Sequence, residues 1–188
     1  MPLLEADGLG AMRGERTLFT GISLSVAAGD LVLLRGSNGS GKTTLLRQLA
    51  GLSEPQAGKC VRHAPHHWVG HNHGLKPYES PRRHLRHWSG VWGETPDLDA
   101  IIADIGLTRP ADVPCQMLSA GQKRRSALGR LLLQDRPIWL LDEPFNALDQ
   151  NGRDQLTEMM IAHRSAGGCV IAALHGETPI TPDREVSL

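Results

Sequence analysis

The sequence is poor in cysteine, with only Cys60, Cys115 and Cys169 scattered over 188 positions. The number is odd and no CxxC spacing occurs, which argues against a disulfide framework or a thiolate zinc site and fits a reducing cytosol. No base flanks Cys115, so it reads as an incidental thiol. Long apolar runs are missing too: the longest is a few residues, against the roughly 20 that a spanning helix needs. The opening Met1-Pro2-Leu3-Leu4-Glu5 has neither a basic start nor an apolar stretch, so no secretory signal is expected. Net charge is absent as well, since 20 Lys+Arg balance 20 Asp+Glu. Without a whole-protein basic field, binding to nucleic acid by counterion release is not expected. What the chain does have is core material: 40% of it is apolar, too much for a disordered chain. Its length suits one domain, or one domain with a small inserted subdomain.

The hydrophobic pattern predicts a strand at Leu3–Ala6 and a second at Phe19–Val26, where Ile22, Leu24 and Val26 alternate. Leu31-Val32-Leu33-Leu34 is a continuous apolar run of the kind buried on both faces of a parallel sheet. A helix is predicted over Lys42–Ala50, closed by Gly51, and residues 54–60 read as a polar loop. His66–Gly70 is a further candidate strand. From Gly74 to Gln134 the pattern is helical, with segments at Pro81–Trp88, Leu98–Ile105 and Ser119–Gln134. Ile138–Leu141 is a second buried strand, Arg153–His163 a helix, and Cys169–Leu174 a third strand. Strands alternating with helices predict an α/β parallel sheet, with residues 74–134 as a helical insertion.

Gly36-Ser37-Asn38-Gly39-Ser40-Gly41-Lys42-Thr43 satisfies G-x-x-x-x-G-K-[ST] after a buried strand and before a helix. Glycines let backbone amides turn inward around phosphate oxygens, and the helix N-terminus adds partial positive charge. Lys42 is expected to reach the β and γ phosphates, and Thr43 to ligate Mg²⁺. Asp142 and Glu143 end the second buried strand, where ligands of such sheets bind. Asp142 suits a metal held through water, and Glu143 suits polarisation of an attacking water. His175 ends the third strand. A lone histidine is usually structural, but near a γ-phosphate it could donate a hydrogen bond to developing charge. Ser119, in Leu118-Ser119-Ala120-Gly121-Gln122, reads as a helix N-cap. The amides and hydroxyl there suit a second anion site, one that a two-fold dimer would place over the partner's nucleotide. Alone, that pentapeptide is equally an ordinary capped helix.

In this order, these motifs resemble the ABC-type ATPases over essentially the whole chain. The resemblance implies a P-loop NTPase (RecA-like) α/β core with an N-terminal antiparallel β region and an inserted helical subdomain. One ABC ATPase domain would then cover 1–188, with 1–73 and 135–188 as the nucleotide-binding core and 74–134 as the helical subdomain. By the same resemblance Gly36 to Thr44 (Gly36, Ser37, Asn38, Gly39, Ser40, Gly41, Lys42, Thr43 and Thr44) form the Walker A, with Asp142 as the Walker B aspartate. Glu143 becomes the general base, His175 the switch histidine, and Ala147-Leu148-Asp149 the D-loop. Ser119, Ala120, Gly121 and Gln122 become the signature that contacts nucleotide. Two positions depart from the pattern. The Q-loop glutamine, a metal contact, is Asn72, one methylene shorter, and the adenine-stacking aromatic is Arg13, whose guanidinium plane can also stack on a base.

Arg16-Thr17-Leu18-Phe19, Gly36-Ser37-Asn38-Gly39, the Trp68 to Lys76 run and the Ala120 variant of the signature are similar to the CcmA-type subunits of bacterial cytochrome c maturation. That likeness implies an ATP hydrolase using ATP and Mg²⁺, a homodimer bound to membrane subunits of the CcmB and CcmC kind. It would sit peripherally on the cytoplasmic face of the inner membrane and drive release of a haem-loaded chaperone of the CcmE kind. No fused membrane domain, second cassette or regulatory domain is expected. Two other readings stay open: a transporter ATPase for another substrate, and a soluble ABC ATPase acting on nucleic acid, although the latter class usually carries tandem cassettes or a long coiled-coil insertion.

Seven of the nine histidines lie between Arg62 and His87, among five basic residues and the single acid Glu79. Metal or haem ligation by His66, His67, His71 or His73 is a weaker reading, because an extended segment sends His66 and His67 to opposite faces. A solvated or docking surface for a membrane subunit is the stronger one, with Trp88 and Trp92 as its expected apolar anchors.

Overall fold

The computed structural model describes residues 1–176 and 178–188, which divide into two compact units. The first comprises Met1–Gly70, Arg136–Glu143 and Met159–Leu188. The second comprises His71–Asp135 and Pro144–Glu158.

Among the described residues, the first unit holds every strand. β1 (Leu4–Arg13), β2 (Arg16–Val26) and β4 (Ala57–Arg62) form an antiparallel sheet in the order β2-β1-β4. β5 (His66–Val69), β6 (Ile138–Asp142), β7 (Cys169–Ala173), β3 (Leu31–Arg35) and β8 (Arg184–Ser187) form a parallel sheet in that order. β6 and β7 are buried at every position and β3 at its first four, as their continuous apolar runs require. Helix α1 (Lys42–Leu49) packs Leu45, Leu46 and Leu49, all fully buried, with Leu34, Leu140 and Ile171 of the parallel sheet and Leu4 and Leu9 of the antiparallel one. Each such leucine contributes about 2 kcal/mol of transfer free energy.

Two strands were not legible. The predicted loop at 54–60 overlaps β4, which pairs Ala57 through Arg62 with Gly10 through Leu4. β4 is an edge strand with five of its six positions exposed, so no apolar alternation betrays it. β8 is equally exposed and short, and pairs in parallel with β3.

The second unit is helical. α2 (Pro81–Trp92) starts from Ser80, whose hydroxyl accepts from the Arg83 N–H, and ends at Gly93 in the left-handed region (φ 73°). It runs one turn beyond the predicted Trp88. α3 (Leu98–Asp104) is capped by Asp97, and α4 (Ala120–Leu128) is followed by a 3-10 turn at Gly129–Leu132. The predicted α-helix to Gln134 therefore stops early, and the close approach at Gly129 accompanies the change: a Cβ there would lie 2.8 Å from Ile105 and 3.1 Å from Leu85. Residues 150–158 of α5 (Gln150–Ser165) belong to this unit and 159–165 to the first. Leu85, Ile101, Ile102, Ile105 and Leu107 make the helical core. Trp88 and Trp92 pack against it, with the Arg130 guanidinium 5.4 Å above the Trp88 ring, so they are part-buried core rather than the outward anchors expected of them. Among the described residues, no helix is long and apolar enough to cross a membrane.

Candidate functional site

The phosphate loop joins β3 to α1 at the carboxyl end of the parallel sheet. Two glycines are dictated by backbone and by space. Gly36 has φ 147°, and a Cβ on it would lie 2.5 Å from Ser40 Oγ and 2.7 Å from the Leu188 carbonyl oxygen. Gly41, the α1 N-cap, has φ 112°, and its Cβ would lie 2.9 Å from the Phe19 ring. The sequence pattern did not single out Leu18 and Phe19 as the wall behind this turn, because nothing local links them to it.

Lys42 is 6% exposed and folds over its own loop, its Nζ donating to the carbonyls of Gly36 (2.7 Å) and Ser37 (2.9 Å). The same Nζ lies 3.3 Å from His175 Nε2. An ammonium only donates, so the imidazole nitrogen meets it as an acceptor. Thr43 Oγ1 donates to Asp142 Oδ2 at 2.9 Å, and Asp142 is 2% exposed. Glu143 follows with φ 50°, a left-handed conformation uncommon outside glycine, held by its N–H donating to the Ala173 carbonyl at 2.9 Å. Such backbone costs about 1–2 kcal/mol and gathers at functional positions. Its Oε1 lies 3.6 Å from His175 Nε2. Arg13, Asn38, Gly39, Gly41, Lys42, Thr43, Thr44 and Glu143 line one cleft of about 180 Å³. The first unit thus brings together the ammonium, the hydroxyl–carboxylate pair, the second carboxylate, the imidazole and Arg13. The donor set, a hydroxyl and two carboxylates beside an ammonium, suits a phosphate chain with a hard divalent cation.

Two larger hollows lie elsewhere. One, of about 580 Å³, crosses the antiparallel sheet between Glu5, Ser25, Lys59 and Arg184. The other, of about 650 Å³, lies in the second unit and is lined by His71, Asn72, His73, Leu75 and Lys123. Neither contains a phosphate loop, and chemistry outweighs size here.

In the second unit Ser119 and Gln122 form a reciprocal cap. The Ser119 hydroxyl accepts from the Gln122 N–H at 3.2 Å, and the Gln122 carboxamide oxygen accepts from the Ser119 N–H at 2.9 Å. Gly121 is pressed against the segment after Glu143: a Cβ on it would lie 2.8 Å from the carbonyl oxygen of Ala147, itself at φ 62°. Buried Arg124 donates from Nε to the Pro144 carbonyl at 3.1 Å, an anchor that no local signal announced. Asn72 lines the second-unit hollow and belongs to a different unit from Thr43 and Asp142.

The histidine-rich stretch is divided. His66 and His67 alternate on β5, His67 buried and His66 half-buried. Burial first, then Arg62 and Arg136, hold the His66 imidazole below its usual pKa. His73 is lowered by burial and then by Arg124. His84, 2% exposed, is pushed down to about 4, chiefly by burial and next by Arg130. Burial raises all three thiols, Cys169 to about 12, so they stay protonated and unreactive near neutrality.

A family model described as ABC transporter matches residues 19–146. The chain is 51% identical to the cytochrome c biogenesis ATP-binding export protein CcmA of Hyphomonas neptunium, covering 100% of this chain and 97% of that protein. It is 44% identical to the protein of the same name from Escherichia coli K12, covering 93% of this chain and 90% of that one. Among solved structures, a putative ABC transporter ATP-binding protein from Pyrococcus furiosus superposes with a TM-score of 0.83 at 22% identity, over 98% of this chain and 96% of that chain. An ATP-binding subunit of an ABC transporter superposes with a TM-score of 0.82 at 22% identity, over 92% and 79%. At that identity the two structures speak for the fold.

Proposed function

From the premise that this chain belongs to the ABC transporter ATPase family, we propose that it is the ATP-binding and hydrolysing subunit of a membrane complex in cytochrome c biogenesis. The end-to-end likeness to the Hyphomonas protein carries the pathway. One contact carries the chemistry: the Thr43 hydroxyl on the buried Asp142 carboxylate at the mouth of the phosphate loop.

On this reading the loop amides and Lys42 receive the β and γ phosphates, the ammonium exchanging the Gly36 and Ser37 carbonyls for phosphate oxygens. Thr43 and Asp142 would hold Mg²⁺, and the ion, when bound, would neutralise phosphate charge. Glu143 orients a water for in-line attack on the γ-phosphorus and accepts its proton as the bond to the leaving ADP oxygen breaks. His175, already beside both Lys42 and Glu143, donates a hydrogen bond to the charge that develops on the γ-phosphoryl group. Arg13 stacks on the base. Ser119, Ala120, Gly121 and Gln122 cover the nucleotide of a second copy, because each chain carries one phosphate loop and one signature.

The membrane partners are of the CcmB and CcmC kind, with a CcmE-type haem chaperone acted on indirectly, so the ATPase is peripheral to the inner membrane. Support comes from the second unit. Tyr78 and Met117, 81% and 72% exposed, adjoin Pro77 and Gln116, which line the hollow that holds His71, His73 and Lys123. Two exposed apolar side chains beside a hollow lined by imidazoles and Lys123 suit a partner segment better than solvent.

A strain lacking this chain is expected to lose all periplasmic c-type cytochromes while keeping b-type haem proteins, as read by haem staining of denatured fractions. Glu143→Gln should not rescue it, and haem should accumulate on the chaperone. Normal c-type cytochromes in the deletion strain would sink the pathway. For the dimer, mixing Lys42→Ala with Ser119→Arg chains should place both defects in one composite site and restore some ATPase activity. Full activity in a strictly monomeric preparation would refute it.

A further inference from the structure

Arg35 closes β3 immediately before Gly36, and its side chain does something the motifs do not explain. Nη1 donates to the carbonyl of Gly176, the residue after His175. Nε and Nη2 donate to Glu185 Oε1 of β8 at 3.2 and 3.1 Å. The backbone beside it is tied in parallel: the Leu188 N–H donates to the Arg35 carbonyl at 3.0 Å, and Ser187 pairs with Arg35 in the β3–β8 ladder. One guanidinium therefore joins the start of the phosphate loop, the turn that carries His175 and the adjoining edge strand. His175 leaves β7 without a ladder of its own, so its place 3.3 Å from Lys42 and 3.6 Å from Glu143 depends on how that turn is held. A planar guanidinium with five donors can serve a carbonyl and a carboxylate at once, whereas an ammonium is a single point donor.

We propose that Arg35, seated by Glu185, is a positioning residue for hydrolysis that acts by holding the His175 turn against the phosphate loop. The proposal rests on the reading of His175 as the group that stabilises the γ-phosphoryl charge. Neither Arg35 nor Glu185 needs to touch nucleotide; their effect passes through the imidazole, where an ångström of displacement is costly.

Steady-state ATP hydrolysis by the full-length chain tests this as a double-mutant cycle. Arg35→Ala should lower kcat about tenfold and leave KM within about twofold, since binding by the loop amides and Lys42 is untouched. Arg35→Lys should fall in between, and Glu185→Gln, which keeps the bond to Gly176, should lose less than Arg35→Ala. In a His175→Ala background the Arg35→Ala step should cost less than about twofold. Equal losses in both backgrounds, or parental kcat for Arg35→Ala, would overturn the proposal while leaving the His175 reading intact. Parental kcat for His175→Ala would overturn both. Should Arg35→Ala fail to fold, as judged by its circular-dichroism melt, Arg35→Lys and Glu185→Gln carry the same cycle: loss abolished by His175→Ala supports the proposal, and loss that persists refutes it.

Discussion

The two units spend their polar side chains in opposite ways. In the first, Lys42, Thr43, Asp142, Glu143 and His175 face one another across gaps of 2.9 to 3.6 Å, at the end of a sheet whose strands β6 and β7 are buried throughout. In the second, Ser119 and Gln122 are engaged in their own helix cap, and His84 Nε2 is buried with no hydrogen-bond partner. Among its exposed side chains are the large apolar Tyr78 and Met117. A parallel sheet places the ends of successive strands side by side, so reactive groups from distant sequence assemble without further help. A small helical core offers only caps and faces. The difference teaches that turnover is to be sought in the first unit, and recognition with local stability in the second.

The largest test breaks the chemistry in the first unit alone. Glu143→Gln should lower kcat by about 100- to 1,000-fold while equilibrium ATP binding stays near parental, because the amide cannot accept the water's proton. Lys42→Ala should instead weaken ATP binding itself. Turnover of Glu143→Gln within a few-fold of parental would remove the base from Glu143.

A smaller effect belongs to the second unit and to pH. The His84 pKa is about 4 in the folded chain, against 6.5 for an ordinary histidine. As pH falls below 6.5, the unfolded chain takes up a proton that the folded chain refuses until about pH 4. Stability is therefore full above 6.5 and declines as the medium acidifies, by about 2–3 kcal/mol at the lower end. His66 and His73, also lowered, add in the same direction. Denaturant midpoints at pH 7 and pH 4.5 should differ less in His84→Leu than in the parent. An unchanged difference would exonerate His84.

The smallest effect sharpens the contrast. Ser119→Ala removes one half of the reciprocal cap and should cost about 1 kcal/mol of stability without nucleotide present. If nucleotide-free stability is unchanged, the serine serves the ligand alone, and the second unit is less self-contained than its geometry implies.

Legibility followed the strength of local signals. The phosphate loop was readable because its amides, lysine and hydroxyl are contiguous and the strand before it is apolar from Leu31 to Leu34. Asp142 and Glu143 were readable from the four apolar residues ahead of them. β4 and β8 escaped because edge strands held by backbone ladders need no hydrophobic period. The end of α4 is not legible in its own sequence because the break at Gly129 accompanies the approach of Ile105 and Leu85, which are remote in sequence. Trp88 and Trp92, expected as docking anchors, pack against the helical core, because the sequence of one helix does not say which face a neighbouring core will claim.

What the sequence by itself determined is therefore the covalent order of the chemistry: the phosphate loop, the capped signature, the carboxylates at a strand end and the terminal histidine. Each is a short contiguous pattern, and the roles expected of Ser119–Gln122 and His175 come from the resemblance that the set carries together. Only the tertiary structure decided which of them meet. The Thr43–Asp142 hydrogen bond spans 99 positions, the Lys42–His175 approach 133, and the Arg35–Gly176 bond 141. These contacts arise because the order β6-β7-β3-β8 places remote strand ends on one edge of the sheet. That order is set by packing of buried faces and not by any pattern confined to one segment.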